Sequence, residues 1–148
     1  MLTLKDYEYF PKYPQVEYIP DGTVLRTARL ARWYAYLKWR IENLQNVDID
    51  GTIESAEYVF PEKEFHFKFK RTEMKFLPDF KVTYKNIVLP EYQTTQGLPR
   101  NQGTVIRTML HYNPTLELRV IEPLEYIKIM KNLKKGDIKF DHLIKFLK

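Results

Sequence analysis

The sequence contains no cysteine among its 148 residues, which excludes disulfide bonds, thiolate metal sites and cysteine nucleophiles. The three histidines lie far apart and lack ligand spacing, so no histidine metal site is predicted. No stretch approaches the ~18 consecutive apolar residues of a membrane-spanning helix, and the early acids and prolines are unlike a signal peptide. We therefore expect a protein of the cytoplasm that does not contact a membrane.

The composition is that of a folded chain with a substantial core. Glycine is scarce, with 5 residues against 11 tyrosines, and 44% of the residues are hydrophobic. This balance favours packed sheets over flexible loops. A length of 148 residues fits one domain. The formal net charge of +5 is compatible with a polyanionic partner such as a nucleic acid.

The clearest predicted element is a helix that begins at Thr27 as its N-cap and ends near the turn at Asp50-Gly51. Apolar residues recur along it with helical spacing and predict one buried stripe. Basic and aromatic residues gather along one flank of that stripe: Arg29, Arg32, Tyr36, Trp39 and Arg40. The flank is either a solvated surface or a surface that contacts phosphates or a partner.

Alternation of apolar and polar residues predicts strands at 52–60, 64–70, 76–84 and 87–94, the last two joined in a tight hairpin at Lys85-Asn86. A loop, a helix at 104–112 and a strand at 116–121 follow. The intervening helix implies that the strands on either side of it are parallel. The expected fold class is α/β (α+β), a central mixed sheet of four to five strands with helices on its faces.

The two ends of the chain are predicted to lie outside this core. Residues 1–22, rich in Tyr and Pro, read as an extended N-terminal arm, and 25–122 as the core. Residues 123–148 read as C-terminal helices: one that begins at Pro123 and ends before Gly136, then a short terminal helix. Their lysines form a basic tail.

Two carboxylates fall on the predicted hairpin. If the chain turns at 85–86, Asp79 pairs approximately with position 92 and comes close to Glu91, while Gln93 shares the face of Glu91. Converging carboxylates repel one another unless a cation bridges them, and Mg²⁺ binds through one or two carboxylates plus phosphate oxygens. The pattern therefore suggests a metal site able to support phosphodiester hydrolysis.

Three stretches resemble the PD-(D/E)XK nuclease superfamily, in particular small nucleases of phages and their hosts. "LRTARLARWYAYLKW" (25–39), "FLPDF" (76–80) and "LPEYQTT" (89–95) are similar to the family's "FRSRLEARW", "YLPDF" and "EVKG". "LELRVI" (116–121) resembles the family's late strand, so the similarity spans about 25–122. The resemblance implies a restriction-endonuclease-like core with the order helix, three strands, helix, strand.

The resemblance implies roles for particular residues. Asp79 and Glu91 would be the metal ligands for Mg²⁺ or Mn²⁺, and Gln93 stands where the family has its lysine. A neutral amide can orient a water molecule but supplies no positive charge. The family's helix glutamate aligns with Leu30, an apolar residue of the buried stripe. Arginines of the helix flank and of the second helix region would contact phosphates: Arg29, Arg32, Arg40, Arg100 and Arg107.

Three functions follow as alternatives. The first is a metal-dependent endonuclease acting on DNA, of phage or mobile-element type, in which Asp79, Glu91 and Gln93 are catalytic. Cleavage of both strands of a duplex would need a homodimer or two successive binding events. The second is a catalytically inactive module of the same fold that holds nucleic acid or a host protein, favoured by Leu30 and Gln93. The third is a structural or assembly protein that uses its N-terminal arm to bind a partner.

Overall fold

The computed structural model describes residues 15–43, 52–95 and 102–147. Predictions for residues 1–14 of the arm, for the turn at Asp50-Gly51 and for Arg100 lie outside these ranges. The described elements, in chain order, are β1 (Val16–Tyr18), β2 (Thr23–Leu25), α1 (Ala28–Glu42), β3 (Ile53–Tyr58), β4 (Phe65–Phe69), β5 (Thr72–Phe76), β6 (Phe80–Tyr84), β7 (Glu91–Thr94), α2 (Gln102–Tyr112), β8 (Glu117–Val120), α3 (Pro123–Lys135), a 3-10 turn (Asp141–Leu143) and β9 (Ile144–Phe146).

A four-stranded sheet in the order β3-β6-β7-β8 forms the centre of the fold. β6 is antiparallel to both β3 and β7, and β8 runs parallel to β7, as the crossover helix predicted. The register pairs Phe80 with Gln93 and Glu91 with Glu117. The mixed α/β class and a four-stranded mixed sheet are therefore confirmed.

Helix α1 covers one face of this sheet. Its N-cap is the predicted Thr27, whose Oγ1 accepts a hydrogen bond from the Leu30 backbone N–H at 3.1 Å. The apolar stripe lies in the main core, where the ring of Tyr34 stacks on that of Phe80 at 5.9 Å between centroids. The helix is fixed in place by burial of large aromatic side chains rather than by its charged flank.

A second, smaller core involves the β4–β5 ribbon (Phe65–Phe76), α2 and β7. The ribbon places Phe67 and Phe76 against Met109 of α2 and Tyr92 of β7. Its opposite face carries charged residues, as the alternation of Phe and Lys predicted. Tyr92 points into this second core while its neighbour Gln93 belongs to the other face, as expected for adjacent residues of a strand.

The predicted strand at 76–84 is confirmed only over Phe80–Tyr84, which pairs antiparallel with β7, and the predicted tight hairpin is wrong. The chain forms β5 up to Phe76, leaves strand geometry at 77–79 and begins β6 at Phe80. Six residues, 85–90, then connect β6 to β7, and Asn86 has a positive φ of 65°. Two reasons account for the error. Phe76 is the last residue of β5 in the ribbon and not the first residue of the next strand, and Pro90 has no N–H to pair across a hairpin.

The two ends of the described chain pair with each other. β1, predicted to be part of an irregular arm, lies between β2 and β9 in a three-stranded antiparallel sheet. The predicted terminal helix is wrong, because only one 3-10 turn precedes β9. Helix α3 does begin at Pro123 and ends with Gly136 as its C-cap. Within the described ranges, no helix is both long and apolar enough to cross a membrane.

Candidate functional site

Asp79 lies in the bend between β5 and β6 and has no solvent-exposed surface. Its Oδ1 accepts a hydrogen bond from the Arg26 guanidinium, with which it forms a salt bridge. Its Oδ2 accepts from the backbone N–H of Thr95 at 3.1 Å and from the Thr95 hydroxyl at 3.3 Å. Asp79 is therefore not the accessible carboxylate that the predicted metal site requires, but a buried group that joins three segments of the chain.

The observed register also corrects the predicted approach of Asp79 to Glu91. Because Phe80 pairs with Gln93, Asp79 stands opposite Thr94 and not opposite position 92. The backbone N–H of Asp79 donates to the carbonyl oxygen of Gln93 at 2.9 Å. Asp79 is therefore displaced by two residues along β7 from the position that the tight hairpin predicted, in the direction away from Glu91.

Glu91 is the first residue of β7 and is partly exposed. Its Oε1 accepts hydrogen bonds from the Tyr84 hydroxyl at 2.9 Å and from Nε2 of Gln93 at 2.8 Å. Burial and the neighbouring Glu91 carboxylate raise the pKa of Tyr84 above its usual value, which keeps its hydroxyl protonated as the donor. A groove of about 380 Å³ runs beside Glu91 and is also lined by Glu117 and by the apolar residues 87–89.

Gln93 is fully buried and uses both ends of its amide. Its Oε1 accepts a hydrogen bond from Nε1 of Trp33 at 2.9 Å, and its Nε2 donates to Glu91. Trp33 lies on the buried side of α1 and is 1% exposed. The amide is thus held between the helix and the first residue of the strand, and the hydrogen bonds leave one N–H and one lone pair of the amide for any other partner.

The residues implied as a metal centre do not fit Mg²⁺ in this arrangement. Both oxygens of Asp79 accept hydrogen bonds from protein donors, and neither is exposed to a ligand that arrives from solvent. Leu30, at the position of the family's glutamate, is 1% exposed and packs in the main core. Among the described residues, no group of three or more His, Cys, Asp or Glu side chains is placed to hold a metal ion.

Three of the predicted phosphate-contacting arginines, Arg29, Arg32 and Arg40, are engaged with the protein itself. Arg29 lies over the Tyr126 ring at 4.8 Å, and Arg32 donates from Nε to Asp141 at 2.9 Å. Arg40 is only 4% exposed. Arg107, by contrast, is exposed on α2 and donates to the hydroxyl of Thr104, one turn away, at 3.5 Å. The helix flank is therefore a contact surface for α3 and the C-terminal turn.

Sequence reasoning missed the partners that hold the two acids and the amide. No pattern in the sequence singles out Arg26, Thr95 or Tyr84, and the helical periodicity predicts only that Trp33 belongs to the buried stripe. Arg26 stands two residues before the helix, inside a stretch that resembles a nuclease motif, but nothing in its spacing indicates a partner more than 50 residues away. The indole N–H of Trp33 was the available signal, because a buried indole requires an acceptor.

Comparison of the chain with protein-family models, with curated proteins and with solved structures finds no match.

Proposed function

We propose that the protein is a nucleic-acid-binding module on a nuclease-like core, and that it does not hydrolyse its ligand. The burial and ion pairing of Asp79 are the observation that supports the absence of hydrolysis. A catalytic metal ligand needs an accessible oxygen, whereas the Asp79 carboxylate is buried and is neutralised by Arg26. The same groups that a nuclease would use here stabilise the sheet and its helix.

The arrangement of the central elements supports a nuclease-like core. Helix α1 is followed by the antiparallel strands β3, β6 and β7, then by α2 and by β8 parallel to β7. This is the order of elements that the resemblance to PD-(D/E)XK nucleases implies. The β4–β5 ribbon is an insertion between the first and second strands of that core. The restriction-endonuclease-like assignment rests on this order and on the short motifs.

The charge distribution supports a polyanionic ligand. The chain carries a net charge of +5, and many of its cations are exposed while the predicted flank is occupied. Helix α2 contains Arg107 and no acidic residue. Release of counterions from a phosphate backbone favours binding by such a surface and makes binding dependent on salt. The exposed basic residues of the described ranges are Lys63, Lys68, Lys70, Arg71, Lys75, Lys85, Arg107, Lys128, Lys131, Lys134, Lys135, Lys139 and Lys145.

Metal-dependent hydrolysis of DNA is the second candidate function, and Glu91 is the residue that favours it. Of the two predicted metal ligands it is the one that solvent reaches, and it lies beside its register partner Glu117 in the groove described above. Hydrolysis through this groove would leave Asp79 without a role. The binding proposal accounts for Asp79, Gln93 and Leu30 together, and we therefore prefer it.

The two candidates differ in a direct assay. The purified protein is incubated with labelled duplex, flap and four-way-junction DNA in Mg²⁺, in Mn²⁺ or in EDTA, and both binding and cleavage are followed. We expect salt-sensitive binding that is equal in Mg²⁺ and EDTA, with no cleavage. Metal-dependent cleavage that disappears in Glu91→Gln would overturn the proposal. Glu91→Gln suits this purpose because it keeps an acceptor for the Tyr84 hydroxyl and removes the charge.

A further inference from the structure

We propose that the β4–β5 ribbon (Phe65–Phe76) is the element that binds nucleic acid, and that it enters the major groove of duplex DNA. This inference rests on the proposed function and names the ligand and the binding surface. The major groove of B-form DNA admits a two-stranded β-ribbon, and five-residue strands extend roughly 17 Å, enough to follow the groove. The deep, narrow major groove of A-form RNA does not admit such an element.

One face of the ribbon is anchored to the rest of the protein by packing against α2. Phe67 is 2% exposed and Phe76 is 1% exposed, both packed in the second core with α2. Asn113, just after α2, donates from Nδ2 to the His66 carbonyl oxygen at 3.0 Å and ties β4 to the helix. The inner face of the ribbon is thus buried, and its outer face and turn are presented to solvent.

The turn of the ribbon carries two cations at a conformational cost. Phe69 pairs with Thr72, which leaves a two-residue turn at Lys70 and Arg71 with φ values of 52° and 79°. Two positive φ values in succession are the mark of a type I′ turn, for which Asn-Gly is strongly preferred because side chains strain this conformation. Two long basic residues therefore occupy positions whose backbone conformation they destabilise. Backbone strain of this kind is found most often at functional sites.

The cations of the outer face are available to a ligand. Lys68, Lys70 and Arg71 are exposed and take part in none of the salt bridges within the described part of the chain. Lys68 stands opposite Glu73 in the register of the ribbon, and Lys70 lies over the Phe69 ring at 5.5 Å. Further along the ribbon, Lys75 shares Glu64 with His66. Because Glu73 stands opposite Lys68 and Glu64 pairs with Lys75, the net positive charge of the ribbon is concentrated at its turn, Lys70 and Arg71. A polyanion is complementary to this distribution.

The test uses a variant that removes the turn cations and improves the turn. Lys70→Asn with Arg71→Gly creates the preferred type I′ pair, so we expect an unchanged or higher Tm, and a loss of binding cannot then be attributed to unfolding. The matched control, Lys134→Gln with Lys135→Gln, removes the same charge from the exposed end of α3. Binding to a 20-base-pair DNA duplex, the equivalent RNA duplex and the DNA single strand is measured from low to high salt by fluorescence anisotropy.

We expect the wild type and the control to bind duplex DNA more tightly than duplex RNA. The turn variant should lose roughly tenfold or more in affinity for duplex DNA, and the slope of log K against log salt should become shallower by about two. Equal losses in the turn variant and the control would overturn the ribbon as the binding element while the proposed nucleic-acid binding stands. Equal affinity for DNA and RNA duplexes would overturn insertion into the major groove. Failure of the wild type to bind any of the three ligands would overturn the proposed function itself.

Discussion

Trp33 donates its indole N–H to the side-chain oxygen of Gln93 across 2.9 Å, and the amide nitrogen of Gln93 donates in turn to Glu91. This chain of hydrogen bonds connects the middle of α1 to the start of β7 through the interior of the protein. Gln93, for which the resemblance implies a catalytic role, is here a structural link. Its neutral amide is suited to that role because it both accepts and donates, whereas an ammonium group only donates.

Loss of the indole donor is expected to destabilise the fold. Trp33→Phe keeps an aromatic ring in the core but leaves Oε1 of the buried Gln93 without its donor, at a cost of about 1–3 kcal/mol in the free energy of unfolding. Urea denaturation followed by far-UV circular dichroism measures the change. Trp39→Phe is the control, because Trp39 is half-buried and stacks on Tyr36 through its ring. Equal stability of the two variants would contradict a role for the Trp33–Gln93 hydrogen bond.

Removal of the Asp79 carboxylate is expected to destabilise the protein strongly. Asp79→Ala leaves the Arg26 guanidinium, whose side chain is 15% exposed, without its counterion, and removal of one partner of a buried pair costs about 3–5 kcal/mol. It also removes the acceptor for the Thr95 N–H. Denaturant midpoints of the wild type, Asp79→Ala and the double variant Arg26→Met/Asp79→Ala provide the measurement.

The double variant separates the two contributions to this loss. Replacement of both charges removes the uncompensated guanidinium, and we expect it to recover part of the stability that Asp79→Ala loses. An Asp79→Ala variant as stable as the wild type would show that the carboxylate is not a structural group. It would also restore the site assignment that the sequence motif suggested.

The elements with strong local signals were predictable from the sequence. Thr27 as an N-cap, Pro123 and Gly136 as helix boundaries and the parallel β7–β8 pair follow from local chemistry or from the length of a connection. The register of β6 against β7 was not predictable, because it depends on where β5 ends. The burial and ion pairing of Asp79 were not predictable either, because its partner Arg26 comes from a distant segment and packs over the ring of Phe60 at 4.3 Å.

Acid is expected to weaken the link between the β1–β2 turn and α1. Asp21 accepts hydrogen bonds from the Tyr34 hydroxyl at 2.6 Å and from the Thr23 N–H at 2.9 Å. Burial by itself raises the pKa of Asp21, but these hydrogen bonds outweigh it and lower the pKa below its ordinary value of 3.8. The stabilisation is therefore complete above the pKa of the unfolded chain and is lost as the pH falls through the lower pKa of the folded protein.

The measurement compares the unfolding free energies of the wild type and Asp21→Asn from neutral pH down to about pH 3. We expect the wild type to be more stable by a constant amount above about pH 5 and the difference to shrink as the pH falls below about 4. In a Tyr34→Phe background the pH-dependent part should be smaller, because one of the hydrogen bonds to the carboxylate is absent. A difference that grows with acidity would contradict the lowered pKa.

Introduction of the lysine that the resemblance implies at position 93 tests whether the site can support hydrolysis. Gln93→Lys places an ammonium group near Glu91, with which it can pair, but leaves the Trp33 indole without an acceptor. We expect a protein less stable than the wild type by about 1–3 kcal/mol that does not cleave DNA, because Asp79 stays paired with Arg26. Gln93→Met is the matched control: it has a similar shape and no charge, so its difference from Gln93→Lys reports the pairing with Glu91. Mg²⁺-dependent cleavage by Gln93→Lys that is absent from Gln93→Lys/Glu91→Gln would show instead that the buried network can support hydrolysis.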